Sequence, residues 1–188
     1  MALRITFGVA ITVISTAFAS ETANPRFTSE AMAEALLDYV TQGDAEAQLL
    51  LGSLYDTGEG VPEDDAEAVR WYRLAAEQGL AGAQLNLGVM YDNGEGVPED
   101  DAEAAKWYRM AAEQGHPRAQ LNMALQYITG EGLPVDHVQA YAWLDLGAAG
   151  GDPDAGNVRD SLATAMTPEH IAEAKALSRE LADRILQQ

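Results

Sequence analysis

Apolar residues recur at helical spacing in the middle of the chain, between residues 80 and 115. The pattern predicts two helices, because in each one the apolar residues fall on a single side of the helix. Gly115 follows the second helix at the position where a helix C-cap favours a left-handed residue. The two apolar sides consist of Ala83, Leu87, Met90 and Tyr91 in the first helix, and of Ala104, Trp107, Tyr108, Ala111 and Ala112 in the second.

A turn separates the two predicted helices. Gly94 and Gly96 accept positive φ angles, and Pro98 cannot continue the interior of a helix. The second helix is predicted to start near Asp100 or Asp101, because carboxylates accept hydrogen bonds from the free backbone N–H groups of a first turn. The unit is therefore a helical hairpin.

This hairpin is repeated along the chain. Residues 44–79 and 80–115 are identical at 27 of 36 positions, and residues 116–151 match the second copy at 14 positions. One hairpin cannot bury both of its apolar sides, so each copy must stack on its neighbours.

The segments outside the three copies are predicted to cover the ends of the stack. Residues 20–43 are assigned to an N-terminal capping helix, and residues 152–188 to a partial repeat followed by a C-terminal capping helix. Thr167 as N-cap and Pro168 at the first position mark the start of that last helix. The apolar residues assigned to the caps are Met32, Leu36, Leu37, Tyr39 and Val40 at one end, and Ile171, Ala174, Leu177, Leu181 and Ile185 at the other.

The repeated residues resemble a known family. The elements Ala-x-x-x-Leu-Gly-x-x-Tyr-x-x-Gly-x-Gly-Val-Pro and Ala-x-x-Trp-Tyr-x-x-Ala-Ala-x-x-Gly are similar to the Sel-one-like repeat (SLR), a relative of the tetratricopeptide repeat (TPR). The resemblance implies an all-α, right-handed α/α superhelical solenoid whose first helices line a concave, partner-binding surface. The third copy has Ala124 and Leu144 where the others have glycine and tyrosine, which calls the close packing of its first helix into question.

The N-terminus predicts export. An uncharged apolar run of 13 residues extends from Ile5 to Ala17, and Ala17-Phe18-Ala19 precedes polar residues. This pattern is typical of a signal peptide, residues 1–19, cut after Ala19. The run is shorter than the roughly 20 residues that a membrane-spanning helix needs. We therefore expect a periplasmic or secreted protein with no membrane insertion after cleavage.

Composition narrows the classes of partner. A formal net charge of −19 repels phosphate backbones and anionic lipid headgroups, so neither nucleic acid nor a membrane surface is an expected partner. Solubility is the simpler explanation of this acidity, and attraction of a basic partner is the alternative. The chain has no cysteine, which excludes disulfides and thiolate metal sites.

Residues with candidate chemistry are few. Gly94 and Gly96 stand where a calcium loop of the EF-hand type needs oxygen side chains, and no Ser-x-x-Lys or Gly-x-Ser-x-Gly motif occurs. No catalytic, cofactor-binding or metal-ligating residue is therefore predicted. The histidines are predicted to lie at the surface, and the aromatic residues that recur in register to pack within the scaffold. These residues are His116, His137 and His170, and Trp71, Trp107, Trp143, Tyr55, Tyr91 and Tyr127.

The candidate partner site is one side of the first helices, which we call the variable face. Four differences between the first two copies are spaced by 4, 3 and 4 residues, so they share a helical side. Residues that contact an identical neighbour should stay fixed, whereas partner contacts can differ; free drift of exposed positions would look the same. The variable face comprises Glu46, Leu50, Ser53 and Thr57, then Gly82, Asn86, Val89 and Asn93, then Arg118, Asn122, Leu125 and Thr129. The predicted partner-binding residues are Leu50, Ser53, Asn86, Val89, Asn93, Asn122 and Leu125.

These patterns predict an exported, monomeric protein–protein interaction scaffold, an adaptor or regulator in the cell envelope that binds a protein or peptide. One alternative is a cell-wall-associated hydrolase or ligand-binding protein acting on β-lactams or muropeptides, a class that the family resemblance brings in. The other alternative is a secreted effector that binds a host protein.

Overall fold

The structure is a computed structural model that describes residues 36 and 39–187, and all regular secondary structure in this part of the chain is helical. The predicted signal peptide and most of the predicted N-terminal cap lie outside the described residues. Leu36 and residues 39–41 are helical, and eight helices follow them. Their bounds are α1 (Ala45–Thr57), α2 (Asp65–Glu77), α3 (Ala81–Asn93), α4 (Asp101–Glu113), α5 (Pro117–Thr129), α6 (His137–Ala149), α7 (Pro153–Ala163) and α8 (Pro168–Leu186).

The helices form a row of stacked hairpins. The pairs α1–α2, α3–α4 and α5–α6 each pack closely, and every second helix (α2, α4, α6) also packs against the first helix that follows it. This arrangement confirms the predicted all-α solenoid of helix-turn-helix repeats. At the C-terminal end α8 lies along α6 and also touches α4, with Ala174 and Leu181 buried in the contact. At the other end Leu36 and Val40 are buried in a cluster with residues of α1.

The second helices begin as the sequence predicts. Asp64, Asp100 and Asp136 are their N-caps, and each side chain accepts hydrogen bonds from backbone N–H groups of the first turn. The backbone N–H of each of these residues also donates to the carbonyl of a tyrosine in the preceding helix at 2.9 Å, which closes the turn.

The second glycine of each turn brings neighbouring repeats together. Gly96 has a φ of +66°, and a Cβ at this position would collide with the carbonyl of Asp65 in the preceding repeat. Gly132 has a φ of +68° and stands in the same relation to Asp101. Only glycine meets both demands, the left-handed backbone and the close approach of two chains.

Buried glutamines tie each first helix to the second helix before it. Gln84 and Gln120 donate through Nε2 to the carbonyls of Ala76 and Ala112, both at 3.1 Å. These carbonyls lie in the last turn of α2 and α4, where each also accepts a hydrogen bond from the backbone N–H of the glycine that follows the helix. The glutamines therefore satisfy buried backbone groups at the junction between repeats.

A glycine and a tyrosine set the spacing within the first two hairpins. Tyr108 lies across Gly88, where an added Cβ would be 2.6 Å from the ring, and Tyr72 lies across Gly52 in the same way. In the third hairpin the smaller Leu144 faces Ala124, and both are fully buried. The exchange keeps the combined volume similar, so the expectation of loose packing in the third copy is wrong.

This pairing makes Gly88→Ala a sharp test of packing. We expect the substitution alone to lower the free energy of unfolding by about 1–3 kcal/mol, because the new methyl group overlaps the Tyr108 ring. Adding Tyr108→Leu, which reproduces the third hairpin, should make the double variant more stable than the two single costs predict. Urea unfolding followed by circular dichroism measures all three variants, and strictly additive costs would contradict the pairing.

Candidate functional site

The structure places the predicted partner-binding residues on one accessible side of α1, α3 and α5. Asn93 and Leu125 are exposed, and the others are half-buried: Leu50, Ser53, Asn86, Val89 and Asn122. The three helices are consecutive first helices of the stack, so the variable face is continuous across the repeats.

A cleft of about 490 Å³ opens on the variable face between α1 and α3. Its walls are mainly apolar and include Leu49 and Leu80, which the comparison of repeats did not select. Leu49 lies within α1 and Leu80 is the N-cap of α3, and the sequence alone cannot separate these two leucines from buried residues. The complete lining is Glu46, Leu49, Leu50, Ser53, Leu80 and Asn86.

A tyrosine hydroxyl lies beside two of the residues that line this cleft. Tyr72 comes from α2, and its hydroxyl donates to Asp56 Oδ2 at 2.9 Å. The polar side chains of Asn86 and Ser53 lie beside this hydroxyl, so it stands between two neighbouring first helices. Burial, together with the Asp56 carboxylate, raises the pKa of Tyr72, and the hydroxyl therefore stays protonated as a donor.

The next repeat has a second node of the same design. The Tyr108 hydroxyl donates to Asp92 Oδ2 at 3.1 Å and lies beside the side chain of Asn122. Gln126 Nε2 donates to the other oxygen of Asp92 at 3.1 Å. Burial and the Asp92 carboxylate raise the pKa of Tyr108. Asn86 and Asn122, one repeat apart, thus lie beside equivalent tyrosine hydroxyls.

The variable face ends in an ion-pair cluster beside α7. Arg118 contacts Asp152 through Nε at 3.0 Å and Asp154 through Nη1 at 2.9 Å. Asp152 is also the N-cap of α7 and is only 8% exposed. The single cation of the variable face is therefore engaged by two carboxylates of the same chain.

The histidine prediction is wrong for one residue. His116 is half-buried at the N-cap of α5, and its Nδ1 atom is buried without a hydrogen-bond partner among the described residues. His137 and His170 are exposed, as predicted. His116 occupies the position that Leu80 has in the preceding repeat. Because histidine is polar, sequence inspection did not predict that its ring is partly buried there.

The recurring aromatic residues pack within the scaffold, which confirms that prediction. Trp143 is buried, and the others contact the buried clusters from half-buried positions. Over the part of the chain that the structure covers, no three acidic or histidine side chains converge as metal ligands would. No helix in the same range is both long and apolar enough to cross a membrane.

Comparisons with known proteins agree with this architecture. The Sel1 repeat family matches residues 45–80, 81–116 and 117–152. A Sel1 repeat protein from Oxalobacter formigenes is 43% identical and has a TM-score of 0.59, with 61% of this chain and 47% of that chain covered. The protective antigen c5321 of uropathogenic Escherichia coli displays an SLR fold and is 29% identical, with a TM-score of 0.63. That match covers 81% of this chain and 41% of that chain.

A third solved structure is similar in fold alone. Cysteine-rich protein B of Helicobacter pylori is 17% identical with a TM-score of 0.59, and the match covers 71% of this chain and 98% of that one. The chain spans less than half the length of the first two structures. The search of curated proteins gave no match.

The environment of His116 predicts a pH-dependent loss of stability. Burial lowers its pKa from 6.5, so the unfolded chain binds more protons than the folded chain as the pH falls below about 6.5. The stability contributed by the neutral ring is then lost as the pH falls through the lowered pKa. His116→Leu, which copies Leu80, should lose less stability between about pH 7 and pH 5. Urea midpoints across this range measure the effect, and parallel curves for the two proteins would refute it.

Proposed function

The chain belongs to the Sel1 repeat family, and we propose that it is an exported scaffold that binds a peptide segment of a partner protein on its variable face. Sel1 repeat proteins are generally protein–protein interaction scaffolds and typically non-catalytic. Export, a role in the cell envelope and the location of the binding surface are our proposals.

The observation that carries the proposal is the apolar cleft between α1 and α3. Leu49, Leu50 and Leu80 line it, and its volume of about 490 Å³ accommodates a large side chain of a partner. Side chains that enter such pockets contribute most of the affinity at many protein interfaces. An open, elongated surface of stacked helices suits a helix or an extended peptide better than a compact ligand.

The two asparagine nodes support the same proposal. An asparagine side chain has two N–H donors and an oxygen that accepts twice, and Asn86 lies beside the Tyr72 hydroxyl. Asn122 lies beside the Tyr108 hydroxyl in the same manner. Since both are half-buried rather than enclosed, their remaining groups can pair with backbone amides of a bound segment. Their partial burial restricts the two side chains beforehand, which reduces the entropy that binding would cost.

A role in the cell envelope rests on the predicted signal peptide of residues 1–19. A scaffold that follows this segment would meet its partners outside the cytoplasm, where an adaptor or regulator of an envelope protein is the function we infer.

The variable face can be tested with two matched double variants. Leu50→Lys with Leu125→Lys places two charges on the variable face, whereas Leu74→Lys with Met110→Lys places two on the second helices. The exposed fractions of Leu125, Leu74 and Met110 are similar at 39%, 38% and 44%. Affinity purification from the envelope fraction should lose its partner with the first variant, by roughly tenfold or more, and keep it with the second.

Thermal melting of both double variants serves as the folding control. A partner that survives the Leu50/Leu125 substitutions in a folded protein would remove the variable face as its binding site.

Export gives a separate prediction. Because the apolar run ends at an Ala-x-Ala site, the protein recovered from cells should begin at Ser20 and be found in the periplasmic or secreted fraction. N-terminal sequencing after fractionation measures this, and an intact Met1 in the cytoplasmic fraction would contradict it.

A further inference from the structure

All charged residues of α1 and α3, the first helices of the first two hairpins, are acidic. Glu46 and Asp56 are the charged residues of α1, and Asp92 is the charged residue of α3. Glu46 is exposed at the rim of the cleft, while Asp56 and Asp92 are half-buried at the two tyrosine nodes. Glu46 lines the cleft, and Asp56 and Asp92 lie on the same two helices that form the surface on which the partner is proposed to bind.

Nothing cationic on this surface offsets them. Every Lys or Arg ion pair within the described residues involves other carboxylates. Asp56 and Asp92 accept hydrogen bonds only from neutral groups, namely tyrosine hydroxyls and, for Asp92, an amide. No cation among the described residues therefore offsets the negative charge of Asp56 and Asp92.

Arg118 is the cation of the variable face that could bind an acidic partner, and it is already paired with carboxylates of the same chain. Arg118 is shared between Asp152 and Asp154, so this group of three side chains is itself net negative. A partner that presented a free C-terminal carboxylate or an acidic segment would meet repulsion along the whole variable face. The charge of the face complements a cationic segment instead.

From this we infer that the partner segment, if it binds as proposed above, carries a Lys or Arg side chain next to an apolar residue that enters the α1–α3 cleft. The apolar residue contributes most of the affinity, because it is removed from water by Leu49, Leu50 and Leu80. The basic residue pairs with Glu46 at the rim and contributes selectivity and association rate more than affinity, since an exposed pair is weak.

A selection experiment tests this inference directly. Phage displaying random peptides of about 12 residues are selected on the purified protein and, in parallel, on the Leu50→Lys/Leu125→Lys variant. The peptides enriched only on the unmodified protein should combine an aliphatic or aromatic residue with a nearby Lys or Arg and should be depleted in Asp and Glu.

The best such peptide is then synthesised with its basic residue and with Gln in that place. Fluorescence anisotropy in low salt should show the Gln peptide binding at least about threefold more weakly to the unmodified protein. Glu46→Gln should cause a similar loss for the basic peptide and little further loss for the Gln peptide. Glu113→Gln, which removes an exposed carboxylate from α4, is the matched control and should leave both affinities unchanged.

The outcomes separate the two proposals. Peptides that require the variable face but bind equally well with Lys, Arg or Gln would overturn the charge inference and leave the proposed function intact. Peptides enriched equally on the protein and on its variable-face variant would contradict the proposed function itself.

Discussion

In each of the first two hairpins, the packing of a tyrosine against a glycine determines both the spacing of the scaffold helices and the surface that they present to a partner. Tyr72 and Tyr108 are each only 1% exposed, and their rings occupy the space that a side chain at Gly52 or Gly88 would fill. The ring fixes how closely the two helices of a hairpin approach, while its hydroxyl donates to an aspartate of the first helix. The same hydroxyl lies beside an asparagine of the next repeat. A single side chain therefore contributes to the core, to the contact between repeats and to the binding surface.

The third hairpin shows what happens when this interaction is replaced. Leu144 fills the core without a hydroxyl, and the position equivalent to Asn86 and Asn122 is Val158, so no third node forms. The polar contacts here serve the end of the stack instead. Asp145 accepts hydrogen bonds from Arg159 and from Ser178 of α8, each at 2.9 Å. In the first two hairpins the position of Asp145 is occupied by Arg73 and Arg109, which donate to tyrosine hydroxyls. The first helix of the third hairpin thus still contributes Asn122 and Leu125 to the variable face, while its second helix supports the C-terminal helix.

Much of this architecture follows from sequence, because its signals are local. The N-cap carboxylate of Asp100, the positive φ of Gly94 and the start of α8 at Pro168 each depend on a few adjacent residues. The tyrosine nodes could not be found by comparing repeats for differences, since tyrosine, glycine and aspartate are identical in the first two copies. The sequence did contain one signal of the tyrosine–glycine packing, because in the third copy both residues are replaced together, by Leu144 and Ala124. The apolar cleft was also hidden, because whether Leu49 and Leu80 are buried depends on the spacing of two neighbouring repeats.

The acidity of the chain has more than one physical origin, and the structure separates them. Asp64, Asp100 and Asp136 cap helices, so their carboxylates are explained by local backbone hydrogen bonds. Asp56 and Asp92 hold the tyrosine hydroxyls, and their charge near the groove accompanies that structural role. Glu46 differs from both groups, because it lines the cleft and makes no hydrogen bond or ion pair with any described residue. Since its removal disturbs neither a cap nor a node, Glu46 is the position at which recognition by charge can be distinguished from a general effect on solubility.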